Sequence, residues 1–241
     1  RKALAESPDY SVHIASIGIT TNMRDLVQSE PDVFSPLNGH DLIAKKVGLI
    51  VWMDGDYNFG CAQHDTDNWL GDDTGCRGSA KAAVAGWPNN VKQMFSLMGG
   101  DVLHGGWLDG CGENGNPVRQ AFEDWGVAGT GRSSWDPITV MIAVRGPEGI
   151  YCKETKVGEG HMIVNEAGEE TWIPGTGYNQ SVIEYDGDVQ GKISFKLNEL
   201  LCKPPGPWGS ATQWVEAAGE NCYGPRGTEP AHGATDLESP P

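Results

Sequence analysis

The chain has 241 residues, 38% of them hydrophobic and 21% charged, a composition that suits a globular protein with a sizeable core. Its 17 basic and 33 acidic residues leave a formal net charge of −16, which argues against a nucleic-acid polymer as partner, because phosphate contacts need clustered Lys and Arg. No apolar run is long enough to span a bilayer, and no membrane partner is expected.

Residues 10–17 alternate loosely and are rich in Val and Ile, which predicts a strand. Gly18-Ile19-Thr20-Thr21-Asn22 follows as a turn, with Asn22 positioned to cap a short helix through Met23, Leu26 and Val27. Residues 37–47 predict a second helix whose basic end, Lys45-Lys46, suits the C-terminal dipole. Leu49-Ile50-Val51-Trp52-Met53 is a continuous apolar run, the pattern of a parallel strand covered on both faces. Residues 54–78 read as a long polar loop, of a length usually tied to function or insertion. A helix over 79–86 and a strand over 91–98 follow, then a Gly-rich stretch over 99–115. Asn116-Pro117 opens a helix carrying Val118, Ala121, Phe122 and Trp125. In Arg132-Ser133-Ser134-Trp135-Asp136-Pro137, a carboxylate stands just before Pro at the start of an apolar helical run. After Gly149 short strands are expected at 150–153, 161–164, 171–173 and 181–185, a small strand-rich segment. A helix over 188–201 follows, with Ile193, Leu197, Leu200 and Leu201 on one face.

Strands alternating with helices predict an α/β fold: a mostly parallel central sheet flanked by helices, in one domain over 1–203, with a Pro/Gly-rich tail over 204–241. Ligands of such sheets bind beyond the C-terminal ends of the strands. Thr20-Thr21-Asn22 and Met53-Asp54-Gly55-Asp56-Tyr57-Asn58 fall there. The six cysteines contain no CxxC pair, so a structural zinc site is not expected. Their even number predicts a secreted protein with at least two disulfides. Cys61 with Cys76 would close a Gly-rich loop and Cys202 with Cys222 would pin the tail, but sequence leaves the pairing open. The alternative is six reduced, mostly buried thiols.

Three pieces occur in order: Gly18-Ile19-Thr20-Thr21-Asn22 after one strand, Val51-Trp52-Met53-Asp54-Gly55 after the next, and Ser134-Trp135-Asp136-Pro137 opening a later helix. With Asn116-Pro117-Val118-Arg119, this set resembles the C-terminal portion of the inosine-uridine-preferring nucleoside hydrolase family, in its secreted fungal relatives, over residues 10–201. The resemblance implies Ca²⁺-dependent hydrolysis of the N-glycosidic bond of ribonucleosides, through an oxocarbenium-like transition state. It implies Asp136 as a metal-ligating carboxylate and Thr21 as a residue lending its backbone carbonyl to the metal. Met53 and Asn58 are implied members of a ribose pocket. Asp67-Asn68-Trp69 stands for the family's acidic-aromatic-Asn element, so Asp67 and Asn68 are implied to hold ribose hydroxyls. Trp135 stands where many members carry a His that protonates the leaving group; an indole can instead stack on a base.

The departures from the family are as informative. Its N-terminal signature is an apolar strand ending in Asp-x-Asp-x-x-x-Asp-Asp, which supplies most of the metal ligands and the general base. No such strand stands before Tyr10. Asp65-Thr66-Asp67-Asn68-Trp69-Leu70-Gly71-Asp72-Asp73 imitates the cluster with one residue too many between the pairs, and reads as a solvated acidic loop. Activity is therefore expected to need a preceding segment or a second chain. The alternative is a non-catalytic secreted binder, lectin-like or defence-related, on the same scaffold. No histidine is an evident replacement acid: His13 falls on a strand, His40, His64, His104 and His161 in loops or edges, and His232 in the tail. The catalytic residues are left unassigned. No Gly-x-Ser-x-Gly elbow or Walker loop is present.

Overall fold

The computed structural model describes residues 1–53, 78–96, 98–108, 116–165 and 170–203. Two compact units are formed, one from 1–104 with 132–197, the other from 105–131 with 198 onward.

The first unit is α/β. Its strands β1 (Val12–Ser16), β2 (Val47–Met53), β3 (Lys92–Ser96), β6 (Cys152–Thr155) and β9 (Gln180–Tyr185) form one sheet in the order β1-β2-β3-β9-β6. The β1-β2, β2-β3 and β3-β9 pairs are parallel, and β6 adds antiparallel at the edge. The strands after Gly149 are thus not one separate segment: β9 and β6 belong to the main sheet. Only β7 (Gly160–Val164) and β8 (Glu170–Pro174) pair by themselves. The Gln180–Tyr185 strand reads like its neighbours after the fact, since buried Ser181, Val182 and Ile183 are covered on both faces.

The alternation of β2 sorts the helices onto two faces. Ile50 and Trp52 join the core made with α2 (Thr21–Val27), α3 (Gly39–Lys46) and α4 (Ser79–Gly86) through Val27, Leu42, Ile43, Ala80, Ala83 and Val84. The Trp52 ring meets Trp87 edge-on at 5.3 Å, and its buried Nε1–H donates to Gln93 at 3.1 Å, which satisfies the polar atom. The Ala-rich face of α4 lets its backbone approach closely, and Thr20 Oγ1 lies 2.8 Å from Ser79 Oγ. Leu49, Val51 and Met53 point the other way. His13, the register partner of Leu49, reaches the Ala143 carbonyl at 2.8 Å, so that face is covered by α6 (Trp135–Arg145). Burial of Ile138 and Ile142 there contributes on the order of 2 kcal/mol each.

Local capping signals account for two helix starts, those of α3 and of the Pro117–Asp124 helix. Asn38 caps α3 by accepting from Asp41 N–H. Thr20, not Asn22, precedes α2; Asn22 lies inside the helix, its side chain bonded to the Met23 N–H. A short α1 (Lys2–Glu6) precedes β1, and α7 (Gln190–Leu201) ends the described chain. Among the described residues no helix is long and apolar enough to cross a membrane.

In the second unit, α5 (Pro117–Asp124) starts as its sequence predicts: Asn116 accepts from Val118 and Arg119 N–H, and Pro117 occupies the first turn. Asn198 takes the Gly105 N–H at 2.7 Å, and Asn116 donates to the Leu201 carbonyl at 2.9 Å. Gly105 has φ +86°, and a Cβ there would overlap the Phe122 ring. Cys202 stands just after α7, and Cys152 in the first unit is a buried free thiol. Cys61, Cys76, Cys111, Cys222 and the 204–241 tail lie outside the described residues.

Candidate functional site

The candidate site lies at the C-terminal edge of the parallel strands of the first unit. His13, near the start of β1, touches Ala143, near the end of α6. The helix therefore runs antiparallel to the strands, and its first turn, with Trp135 and Asp136, lies toward their C-terminal ends. Met53 ends β2 on the α6 face, and its register partner Ser96 ends β3 beside it. Thr21 begins α2 immediately beyond β1. Four of the residues singled out by sequence, Thr21, Met53, Trp135 and Asp136, are thereby brought to one edge of one sheet. Asn58, Asp67 and Asn68 lie outside the described residues.

The loop after β3 ties α6 to this edge. Gly99 accepts the Ser134 N–H at 2.8 Å and adopts φ +124°; a Cβ on it would stand 2.6 Å from Trp135 N. Gly100 lies against the Trp135 indole, which remains 36% exposed. The loop itself is pinned from behind. The Tyr185 hydroxyl donates to Asp101 at 2.6 Å and Gln190 donates to its other oxygen at 3.0 Å. Burial, reinforced by the Asp101 carboxylate, pushes the Tyr185 phenol well above its usual range.

The loop closes with β4 (Leu103–His104), which pairs antiparallel with β5 (Arg132–Ser133). That ladder delivers buried His104 to buried Ser134, with Nδ1 and Oγ 2.8 Å apart. Ser134 Oγ also donates to the Val102 carbonyl at 2.6 Å. Ser134 occupies the N-cap position of α6, yet its side chain caps nothing. Asp136, expected at the boundary, lies inside the first turn. Burial pulls the His104 pKa below its ordinary 6.5; the Arg132 carbonyl and the Asp136 charge oppose this, and the Arg132 charge adds to it.

His104 and Gly99 carry no local sequence signal for this cluster. The partners of His104 lie 30 residues on, and only the β4-β5 ladder joins them. Ser134 could have been found, since a Ser before an apolar helical run is an N-cap signal.

The implied calcium can be tested against these groups. Ca²⁺ takes roughly six to eight oxygens. Among the described residues no group of three or more His, Cys, Asp or Glu side chains could hold a metal ion. Asp136 brings one carboxylate. As the first residue of α2, Thr21 has its carbonyl aligned with the helix axis, toward the N–H four residues on and away from the helix start. The described residues alone therefore do not fit a calcium site. No protein-family model, curated protein or solved structure matches the chain.

Proposed function

We propose that the chain binds a ribonucleoside at the C-terminal edge of its parallel strands, and hydrolyses the N-glycosidic bond there when Ca²⁺ and further carboxylates complete the site. The supporting observation is the convergence at that edge of Met53 and the first turn of α6 with Trp135 and Asp136, while Thr21 starts α2 beside it. In this reading Asp136 accepts hydrogen bonds from ribose hydroxyls, its charge favoured by the helix N-terminus. Met53 gives an adaptable apolar wall. The partly exposed Trp135 indole offers a face on which a base stacks. Since the described donor set does not hold calcium, the groups that break the bond are left to residues beyond it. A preceding segment or a second chain is the source in view.

A second reading is a secreted nucleoside binder without catalysis. It is favoured by Trp135, which cannot protonate a leaving base. Base release from inosine and from uridine, measured by chromatography with EDTA and with excess Ca²⁺, beside calorimetric titration of the same nucleosides, separates the two. Release that stops in EDTA and returns with Ca²⁺ supports the hydrolase. Saturable binding without release under both conditions supports the binder. Absence of both overturns the ribonucleoside reading.

A further inference from the structure

The Ser134 side chain is unusual for its position. A Ser at a helix N-cap ordinarily turns its oxygen onto the N–H of the second or third helical residue. In α6 the third is Pro137, which has no N–H, so Asp136 N–H is the one available. Ser134 Oγ instead points to the Val102 carbonyl, 2.6 Å away, and to His104 Nδ1, 2.8 Å away. A hydroxyl has one proton, and the shorter contact, to a carbonyl that can only accept, consumes it. Toward His104 the hydroxyl offers its lone pairs, with Nδ1 at hydrogen-bond distance, and the Arg132 carbonyl is a second partner of the ring.

We propose that His104 is a positioning residue: through the contact of its Nδ1 with Ser134 Oγ it holds that side chain off the helix, and so fixes the open first turn of α6, with Trp135 and Asp136, at the ligand edge. The geometry has three anchors. The β4-β5 ladder fixes the His104 backbone, Gly99 holds the Ser134 N–H, and Ser194 Oγ donates to the Leu103 carbonyl next to His104. His104 is buried and acts through Ser134 rather than on a ligand. The ligand half of this proposal rests on the ribonucleoside reading; the helix half does not.

The test compares His104→Leu, which removes the polar partner, with His104→Asn, whose amide group falls near the place of Nδ1. Amide exchange at Asp136 is measured by NMR in both, and inosine affinity by calorimetry. In His104→Leu the Ser134 Oγ keeps its bond to Val102, but the acceptor side that faced Nδ1 is released to the Asp136 N–H, and exchange there slows by about fivefold, the order a side-chain cap contributes. In His104→Asn exchange stays within about twofold of the parent. General loosening of the fold would speed exchange, so the sign separates positioning from damage. Inosine affinity is expected to fall about tenfold in His104→Leu and to recover in His104→Asn. Faster or unchanged exchange in His104→Leu, or equal behaviour of the two variants, overturns the proposal. If the parent binds no inosine while the exchange pattern holds, the ribonucleoside reading fails and the positioning role stands.

Discussion

Gly99→Ala probes the seam on which the candidate site depends. Gly99 has φ +124°, a region essentially reserved for glycine, and forcing alanine into it costs about 1–3 kcal/mol. The added Cβ would also stand 2.6 Å from Trp135 N and 2.7 Å from Trp135 Cα. These are backbone atoms of a helix start, so no side chain can swing aside, and overpacking of this kind adds about 1–3 kcal/mol. The sum is about 2–6 kcal/mol. Gly158→Ala is the control: its φ is +69° with nothing within 4 Å of the new Cβ, so only a conformational cost of about 1–2 kcal/mol applies. Urea unfolding followed by circular dichroism gives both numbers, provided the denaturant slopes agree. Gly99→Ala should also weaken nucleoside binding, because the Ser134 N–H follows the Gly99 carbonyl. If it unfolds at the same urea concentration as Gly158→Ala, the close approach of the loop to α6 is not what fixes the helix.

Three further outcomes are expected. Burial, with a smaller push from the Asp186 charge, raises the Cys152 thiol to about 12, so at about pH 8 it should resist iodoacetamide in the folded chain and react in denaturant; labelling of the folded chain that Cys152→Ser abolishes would contradict the burial. The Arg1 guanidinium holds the Asp32 carboxyl below its usual range, while Asp32 Oδ1 accepts from Phe34 and Ser35 N–H; Asp32→Asn should speed amide exchange at both residues, and unchanged exchange would show that the turn does not need the ion pair. His104 has a folded pKa below 6.5, so between that lower value and 6.5 the unfolded chain binds more protons. Its contribution is therefore full above 6.5 and is lost as pH falls through that window. Urea midpoints at about pH 7.5 and about pH 5.5 should differ less in His104→Asn than in the parent, and an equal drop in both would assign the pH dependence to other groups.

Where a signal is local, sequence and structure agree closely. The Ala-rich Ser79–Gly86 helix, the Asn116-Pro117 helix start and the apolar Val47–Met53 strand each depend on residues within one turn or one strand of each other. Disagreements arise where a distant partner decides. Asn22 is a good cap in isolation, but buried Thr20, bonded to Ser79 from another helix, sets the start of α2 one residue before it. Asp136 reads as a boundary residue, whereas α6 begins at Trp135 with Ser134 at the N-cap, its side chain bonded to Val102 and against His104. Strand order is of the same kind. Nothing in Gln180–Tyr185 alone says that it lies beside β3, because the β4-β5 ladder, two helices, the β6 edge strand and the β7-β8 hairpin all intervene. The place of Thr21 and Met53 at this edge is legible because the rule that ligands gather at strand C-termini needs only the α/β alternation; Asp136 joins them only through the family resemblance.

Asp136→Asn is the substitution that best isolates ligand binding from folding. In the first turn of α6 the carboxylate interacts with the helix dipole, a contribution of about 0.3–1 kcal/mol, and asparagine remains well tolerated near helix starts. Stability should therefore fall by no more than about 1 kcal/mol. If the carboxylate accepts from ribose hydroxyls, charge-assisted hydrogen bonds are lost, and inosine affinity should drop by about tenfold or more. Thr21→Ala supplies the contrast, since truncating that side chain leaves the backbone carbonyl where it was, and affinity should stay within about twofold. A fall in stability without a fall in affinity for Asp136→Asn would make the residue a helix-start stabiliser only. Equal losses of affinity in both variants would point to an edge disturbed as a whole rather than to a carboxylate that touches the sugar.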